Sequence, residues 1–175
     1  MESTAAILLR RTKFSDTSLI VTWLTCDHGK LKTVAKGALR PKSPFAGTID
    51  LFFETEIAFV RSSRSEIHTL REAVLRHPFE GLRKDYARLE LAAYFVELQE
   101  LLTESDHPVP ELFDLLHRAL GYLENATPDR RALLHFENEL ARLLGINDEG
   151  SAYAALARTC HHMPESRRRL MEKLG

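Results

Sequence analysis

The apolar pattern of this chain changes period near Pro78, and that change limits the available folds more than any other feature. Before it, short runs rich in Ile, Val, Thr and Phe are punctuated by turn residues, the pattern of half-buried strands. The runs are Ala5–Thr12, Ser18–Cys26, Lys30–Lys36, Ile49–Val60 and Glu66–Leu75. Between them lie Phe14-Ser15-Asp16, Asp27-His28-Gly29, the Gly37–Gly47 stretch with Pro41 and Pro44, and Arg61-Ser62-Ser63-Arg64. Five strands within residues 1–77 suit a small closed barrel, which hides its edges. The OB-fold is the commonest barrel of this size, and an SH3-like barrel fits the same strand count.

From Pro78 onward the period is helical. Leu82, Tyr86, Leu89, Ala93, Val96 and Leu101 fall near one stripe and predict a long helix over Phe79–Thr103. His107-Pro108-Val109-Pro110 breaks it, and Pro110 is placed to open the next helix, Glu111–Leu123. Thr127-Pro128 reads as an N-cap and first-turn proline for Asp129–Leu144, which Gly145 ends. Ser151–Cys160 and Glu165–Leu174 predict two further short helices. The expected architecture is α+β: a five-stranded barrel domain over 1–77, then an all-α helical domain over 78–175.

A chain of 175 residues can bury a core without disulfide or metal staples. Its longest uncharged apolar runs are about eight residues, as in Ser18–Thr25, far short of the ~20 that span a bilayer. Met-Glu-Ser-Thr carries no basic signal-peptide start, and Cys26 and Cys160 stand far apart, so a reduced cytoplasmic protein without membrane contact is expected. The formal net charge is −1, but it is polarised. Residues 1–78 hold 12 Lys+Arg against 8 Asp+Glu, and the remainder holds 12 against 17. Arg10–Ser43 alone has eight basic residues and two acidic ones, Asp16 and Asp27.

Alternation sorts the strand residues into faces. Leu31, Thr33 and Ala35 share one side of the third run; Lys30, Lys32, Val34 and Lys36 share the other. Three ammonium groups cannot all be buried, so that side faces outward. Arg10, Arg11 and Lys13 sit at the end of the first run, and Arg40 and Lys42 follow in a loop stiffened by Pro41 and freed by Gly37. These eight residues predict a surface for polyanions, with backbone amides and cationic heads cradling phosphodiesters. A solvated face and a plain turn are the alternatives. Trp23 alternates with Leu19 and Val21 and is expected in the core. Leu51, Phe53, Ile57 and Phe59 are expected to face inward, and Phe52 outward onto another protein surface. Phe14 and Phe45 are the candidates for base stacking.

No catalytic constellation is evident. The barrel carboxylates are scattered, His28 is expected to be solvated, and no nucleophile stands beside a positioned base. The 36–43 loop lacks the glycine spacing and Lys-Ser/Thr pair of a P-loop. A binding protein is expected rather than an enzyme. An interaction adaptor working through its acidic helical domain, or an OB-type RNA-binding factor, remain as alternatives.

Three segments carry a family resemblance: Thr12 to Leu19, Leu24 to Lys30, and Val34-Ala35-Lys36-Gly37-Ala38-Leu39-Arg40-Pro41-Lys42-Ser43. Together with Phe45-Ala46-Gly47, Leu51-Phe52, Leu70-Arg71-Glu72-Ala73, Tyr94 to Leu98, and Phe136-Glu137 through Gly145, they make the chain similar to the bacterial recombination mediator family RecO. The resemblance implies an N-terminal OB-fold barrel and a C-terminal helical domain. It implies a cytoplasmic, nucleoid-associated protein that binds single- and double-stranded DNA and anneals complementary strands. It further implies partnership with RecR and single-stranded-DNA-binding protein, and indirectly with the recombinase RecA. Lys36, Arg40 and Lys42 match the family's basic loop. Many members carry a four-cysteine zinc site, whereas this chain has Cys160 beside His161 and His162, a spacing unsuited to structural zinc, so no metal or other cofactor is expected. The chain is also shorter at its C-terminus than many relatives, which puts their contacts there in doubt. Arg167-Arg168-Arg169 reads either as an extra DNA contact or as basic residues at a helix end.

Overall fold

Five strands, β1 (Glu2–Lys13), β2 (Leu19–Thr25), β3 (Gly29–Ala35), β4 (Glu54–Val60) and β5 (Ile67–His77), close into a barrel in the order β1-β2-β3-β5-β4. All pairings are antiparallel except β3 with β5, where Lys32, Thr33 and Val34 run parallel to Ile67, His68 and Thr69. This is the OB-fold topology. The computed structural model describes residues 1–147 and 150–175. It divides them into one unit of Met1–Pro78 with Glu104–Phe113, and a second of Phe79–Thr103 with Asp114–Gly175.

The barrel interior is filled by Ala6, Leu8, Val21, Trp23, Leu31, Ile57, Phe59 and Leu70. Trp23 is fully buried, and its indole Nε1 donates to the buried Thr33 hydroxyl at 2.9 Å, so the one polar atom of the ring is satisfied. Alternation along β3 holds: Gly29, Leu31, Thr33 and Ala35 are buried, while Lys30, Lys32 and Val34 are half-buried.

Alternation misleads ahead of β4. Ile57 and Phe59 do face the interior, but Leu51 is 39% exposed, Phe53 is half-buried, and Phe52, expected outside, is buried. The cause is a turn at residues 51–52 in which Phe52 takes φ 69, so the strand pattern cannot be extended back beyond Glu54. The wall is completed instead by Phe45 and Ile49 from the preceding loop, which removes Phe45 from the stacking candidates.

In the second unit the expected long first helix is two pieces. A 3-10 turn, Glu80–Lys84, precedes α1 (Tyr86–Leu102), and between them Asp85 is extended, its side chain accepting from Ala87 N as an N-cap. Pro110 opens α2 (Pro110–Asn125) as expected. For α3 (Arg130–Leu143) the cap is Asp129 rather than Thr127, Oδ1 accepting from Ala132 N at 2.8 Å. Gly145, at φ 68, ends it with Gly145 N on Arg142 O and Ile146 N on Ala141 O, a Schellman pair. Two short helices follow, α4 (Ala152–Thr159) and α5 (Ser166–Lys173). Arg167, Arg168 and Arg169 lie in the first turn of α5, where the dipole disfavours cations, so the helix-end explanation fails. Arg167 is instead bound to Glu137, which is 1% exposed. Its Nε and Nη2 reach the two carboxylate oxygens at 2.6 and 2.9 Å, and the Tyr94 hydroxyl donates to the same carboxylate.

Among the described residues no helix is long and apolar enough to cross a membrane, and no group of three or more His, Cys, Asp or Glu could hold a metal ion. The Cys160 thiol is buried and donates to Leu156 O at 3.0 Å, and burial pushes its pKa up.

Candidate nucleic-acid interface

The basic residues sort into three groups once the strand register is known. In the first, Arg10, Thr22 and Lys32 stand opposite one another across β1, β2 and β3, so Arg10 and Lys32 flank the buried Thr22 on one outer face. Arg10 reaches that face because a bulge between Leu8 and Arg10 shifts the register of β1. Lys30 lies two residues back on the same side, about 6.6 Å along the strand. Its backbone is capped by the connector after α1: Lys30 N donates to Glu104 O at 3.3 Å, and Asp106 N donates to Lys30 O at 3.1 Å.

The second group surrounds a concavity of about 360 Å³ at the other end of β3. Lys36, Gly37 and Arg40 form one wall; Phe14 and Thr17, from the β1–β2 turn, form the other. The loop is tied to the β1–β2 turn by specific bonds. Gly37, at φ 73, donates to the Ser18 hydroxyl at 3.3 Å, and Leu39 N donates to Thr17 O at 2.9 Å. The buried Phe45 anchors its far side. Phe14 is 61% exposed, so its ring is open to a ligand. Lys36, Arg40 and Lys42 are exposed, and with Lys32 they form no ion pair among the described residues.

Arg11 and Lys13 make the third group and stand apart from the other six. The register sets Arg11 opposite Val21 and Lys13 opposite Leu19, both interior residues, so on β1 they point away from Arg10. Each also has an acidic neighbour: Arg11 bonds Asp50 at 3.0 Å and Ile49 O at 3.1 Å, and Lys13 lies 3.5 Å from Asp16.

A further polar cluster escapes sequence reasoning because its members are spread from Glu2 to Asp106. Arg61 bonds Glu2 at 3.0 Å and Asp106 at 2.7 Å, and its Nη2 lies 3.2 Å from His28 Nδ1. His28 is therefore half-buried in an ion network against the edge of Phe59 rather than solvated. His68 stacks on Phe59 and accepts from Ser62 N through Nδ1, while its buried Nε2 has no hydrogen-bond partner among the described residues. Burial, then the nearby Arg61 charge, holds the His68 pKa below its ordinary value. A depressed folded pKa means the unfolded chain binds the proton more readily, so stability is intact above about pH 6.5 and falls as the pH drops below it. His68→Gln is expected to flatten that acid limb in urea unfolding measured from pH 7 to pH 5; an unchanged slope would assign the limb to other groups.

A closed five-stranded barrel in this strand order, followed by a helical unit, places the chain among OB-barrel proteins. More narrowly, the family models described as "Recombination protein O N terminal" and "Recombination protein O C terminal" match residues 1–79 and 83–152, and the chain belongs to the RecO family. It is 39% identical over 140 residues to the DNA repair protein RecO of Rhodopirellula baltica, covering 80% of this chain and 52% of that protein. It is 35% identical over 144 residues to that of Salinibacter ruber, covering 82% and 55%. Against the Syntrophus aciditrophicus protein the identity is 30% over 142 residues, covering 81% and 55%. The chain spans about half the length of the curated relatives it matches. Neither the family descriptions nor these relatives' names state a catalytic activity.

Proposed function

We propose that this chain is a non-enzymatic DNA-binding protein of recombinational repair, and that DNA lies along β3 from Lys30 and Lys32 to the loop carrying Lys36, Arg40 and Lys42, with Arg10 beside it. One observation carries the reading. Among the described residues Lys32, Lys36, Arg40 and Lys42, which follow one another along β3 and its loop, form no ion pair, whereas Arg11, Lys13, Arg61 and Arg76 of the same barrel each meet a carboxylate. An array of unpaired cations is available for phosphates at little desolvation cost, whereas paired ones must first give up a partner. Family membership supports the wider role: binding single- and double-stranded DNA, annealing complementary strands, and helping place RecA on strands coated by single-stranded-DNA-binding protein, with RecR as a partner, in the cytoplasm at the nucleoid. Arg11 and Lys13 are assigned a lesser part, as ion-paired residues on the other side of β1.

The test is a fluorescence-anisotropy titration of a labelled single strand over a salt series. Four cations neutralising phosphates give a slope of log affinity against log salt near −3, or a loss of roughly 50-fold between 50 and 200 mM salt. Replacing Lys32, Lys36, Arg40 and Lys42 together by Gln is expected to flatten most of that slope with the fold intact. Absence of binding at low salt would favour the adaptor, and a preference for RNA would favour the RNA-binding factor.

A further inference from the structure

The two cation groups retained in the proposed DNA surface differ in a way that charge does not express. Across β1–β3, Arg10 and Lys32 bring cations and aliphatic stems, which bind phosphates whether or not the bases are paired. The concavity between the β1–β2 turn and the 36–40 loop adds an exposed ring, Phe14, opposite Lys36 and Arg40. We infer that this concavity seats one unpaired nucleotide, its base on Phe14 and its phosphate between Lys36 and Arg40, so that the barrel senses strand pairing here and not at Lys32. The inference rests on the reading of this face as a DNA surface and names the residue that sets its strand preference.

The geometry supports a stacking role over a core role for Phe14. Its turn is fixed by backbone and hydroxyl bonds that do not involve the ring: Phe14 N and Ser15 N donate to Ser18 O, and Ser18 N donates to Ser15 Oγ. The ring is therefore held out on a rigid turn, 61% exposed, without being needed to form it. The opposite wall is equally fixed through Gly37 and Leu39. A volume near 360 Å³ is that of a nucleotide-sized site rather than of a duplex groove. Among the described residues no carboxylate lines it, and Asp16, in the same turn as Phe14, is ion-paired with Lys13 at 3.5 Å.

A base in a duplex is covered on both faces by its neighbours, so reaching Phe14 would cost unstacking and unpairing. An unpaired base has a face to offer, and aromatic stacking accepts any of the four. The consequence for annealing is direct. A strand held by the concavity loses that contact as it pairs with its complement, so duplex formation itself loosens the protein from the product while the Lys32 row keeps a weaker, pairing-blind hold.

The test uses the full chain and three labelled 30-mers: an oligo-dT single strand, a mixed-sequence duplex, and a single strand abasic at every position. Phe14→Ala is expected to weaken single-strand binding about 5- to 150-fold while duplex affinity stays within about twofold. The wild-type chain is expected to bind the abasic strand as weakly as Phe14→Ala binds the intact one. Phe14→Trp is expected to retain single-strand affinity, its emission quenched by the single strand and not by the duplex; Trp23, being buried, supplies a constant background. Equal losses of Phe14→Ala on single strand and duplex, or no loss on either, overturn the inference. If Lys36→Gln with Arg40→Gln still weakens single-strand binding in that case, the DNA surface stands and only the stacking role falls. A wild-type chain that binds neither substrate at low salt overturns both.

Discussion

Trp23→Ala is expected to lower the stability of the barrel by about 3–5 kcal/mol. Trp23 is fully buried in the interior cluster, so truncation leaves a cavity that β1, β3 and β4 cannot close without breaking the register that joins them. It also removes the donor to the Thr33 hydroxyl, and an orphaned buried hydroxyl adds to the loss. With total stability typically about 5–15 kcal/mol, a deficit of that size brings the unit close to unfolding at 37 °C. Trp23→Phe separates the two contributions, because it restores most of the volume and none of the hydrogen bond. Urea unfolding followed by far-ultraviolet circular dichroism measures both. A loss under about 1 kcal/mol for Trp23→Ala would mean that the barrel interior is not organised around this ring. The same truncation at Phe53, which is only half-buried, is expected to cost clearly less.

The contrast between Trp23 and Phe53 shows where the sequence is a good guide. Trp23 sits in β2, a run whose turns are close at both ends, so parity counted from Leu19 and Val21 remains in phase. Phe53 belongs to a run that begins in a loop, and one residue of positive φ at Phe52 resets the phase. Any alternation count carried through Leu51 and Phe52 comes out inverted. The barrel, the helix-opening role of Pro110 and the helix-ending role of Gly145 were all legible, because each depends on local chemistry of a few adjacent residues. The break at Asp85 was not, since an apolar stripe continues across it.

The candidate site was legible in the same partial way. Outward lysines at Lys30, Lys32 and Lys36 follow from parity on one strand, which sequence supplies. Alternation alone parts Arg10 from Arg11 and Lys13, but which of them shares the outer face with Lys32 depends on a bulge, and bulges leave no mark in a single sequence. Likewise the pairing of Arg11 with Asp50, and the gathering of Glu2, His28, Arg61 and Asp106, are products of chain crossings that no spacing rule predicts. The two stacking candidates, Phe14 and Phe45, both lie in connecting segments next to basic residues. Only the fold decides that Phe45 closes the core and Phe14 stays in solvent.

In the helical unit, Arg167→Met is expected to cost about 3–5 kcal/mol, because it strands the Glu137 carboxylate in a site where it is 1% exposed. The loss is mostly the penalty of an uncompensated buried charge and not the worth of the ion pair. A variant carrying Tyr94→Phe, Glu137→Met and Arg167→Met together is therefore expected to recover most of it, and to match or exceed the wild type. The order of these two stabilities is the check: a triple variant no better than Arg167→Met would show that the cluster stabilises through its own bonds. The guanidinium also lies 4.0 Å from the centroid of the Tyr153 ring, so Arg167→Lys, which keeps the charge but neither the fork nor the stacked plane, is expected to fall between wild type and Arg167→Met. The same cluster has a signature in alkali. Burial, and then the Glu137 charge, push the Tyr94 pKa well above its ordinary value. A raised folded pKa leaves stability intact below about pH 10 and lowers it as the pH rises further, because the unfolded phenol gives up its proton first. Tyr94→Phe has no proton to lose there, so its unfolding midpoint is expected to hold more nearly constant from pH 9 to pH 11 than that of the wild type.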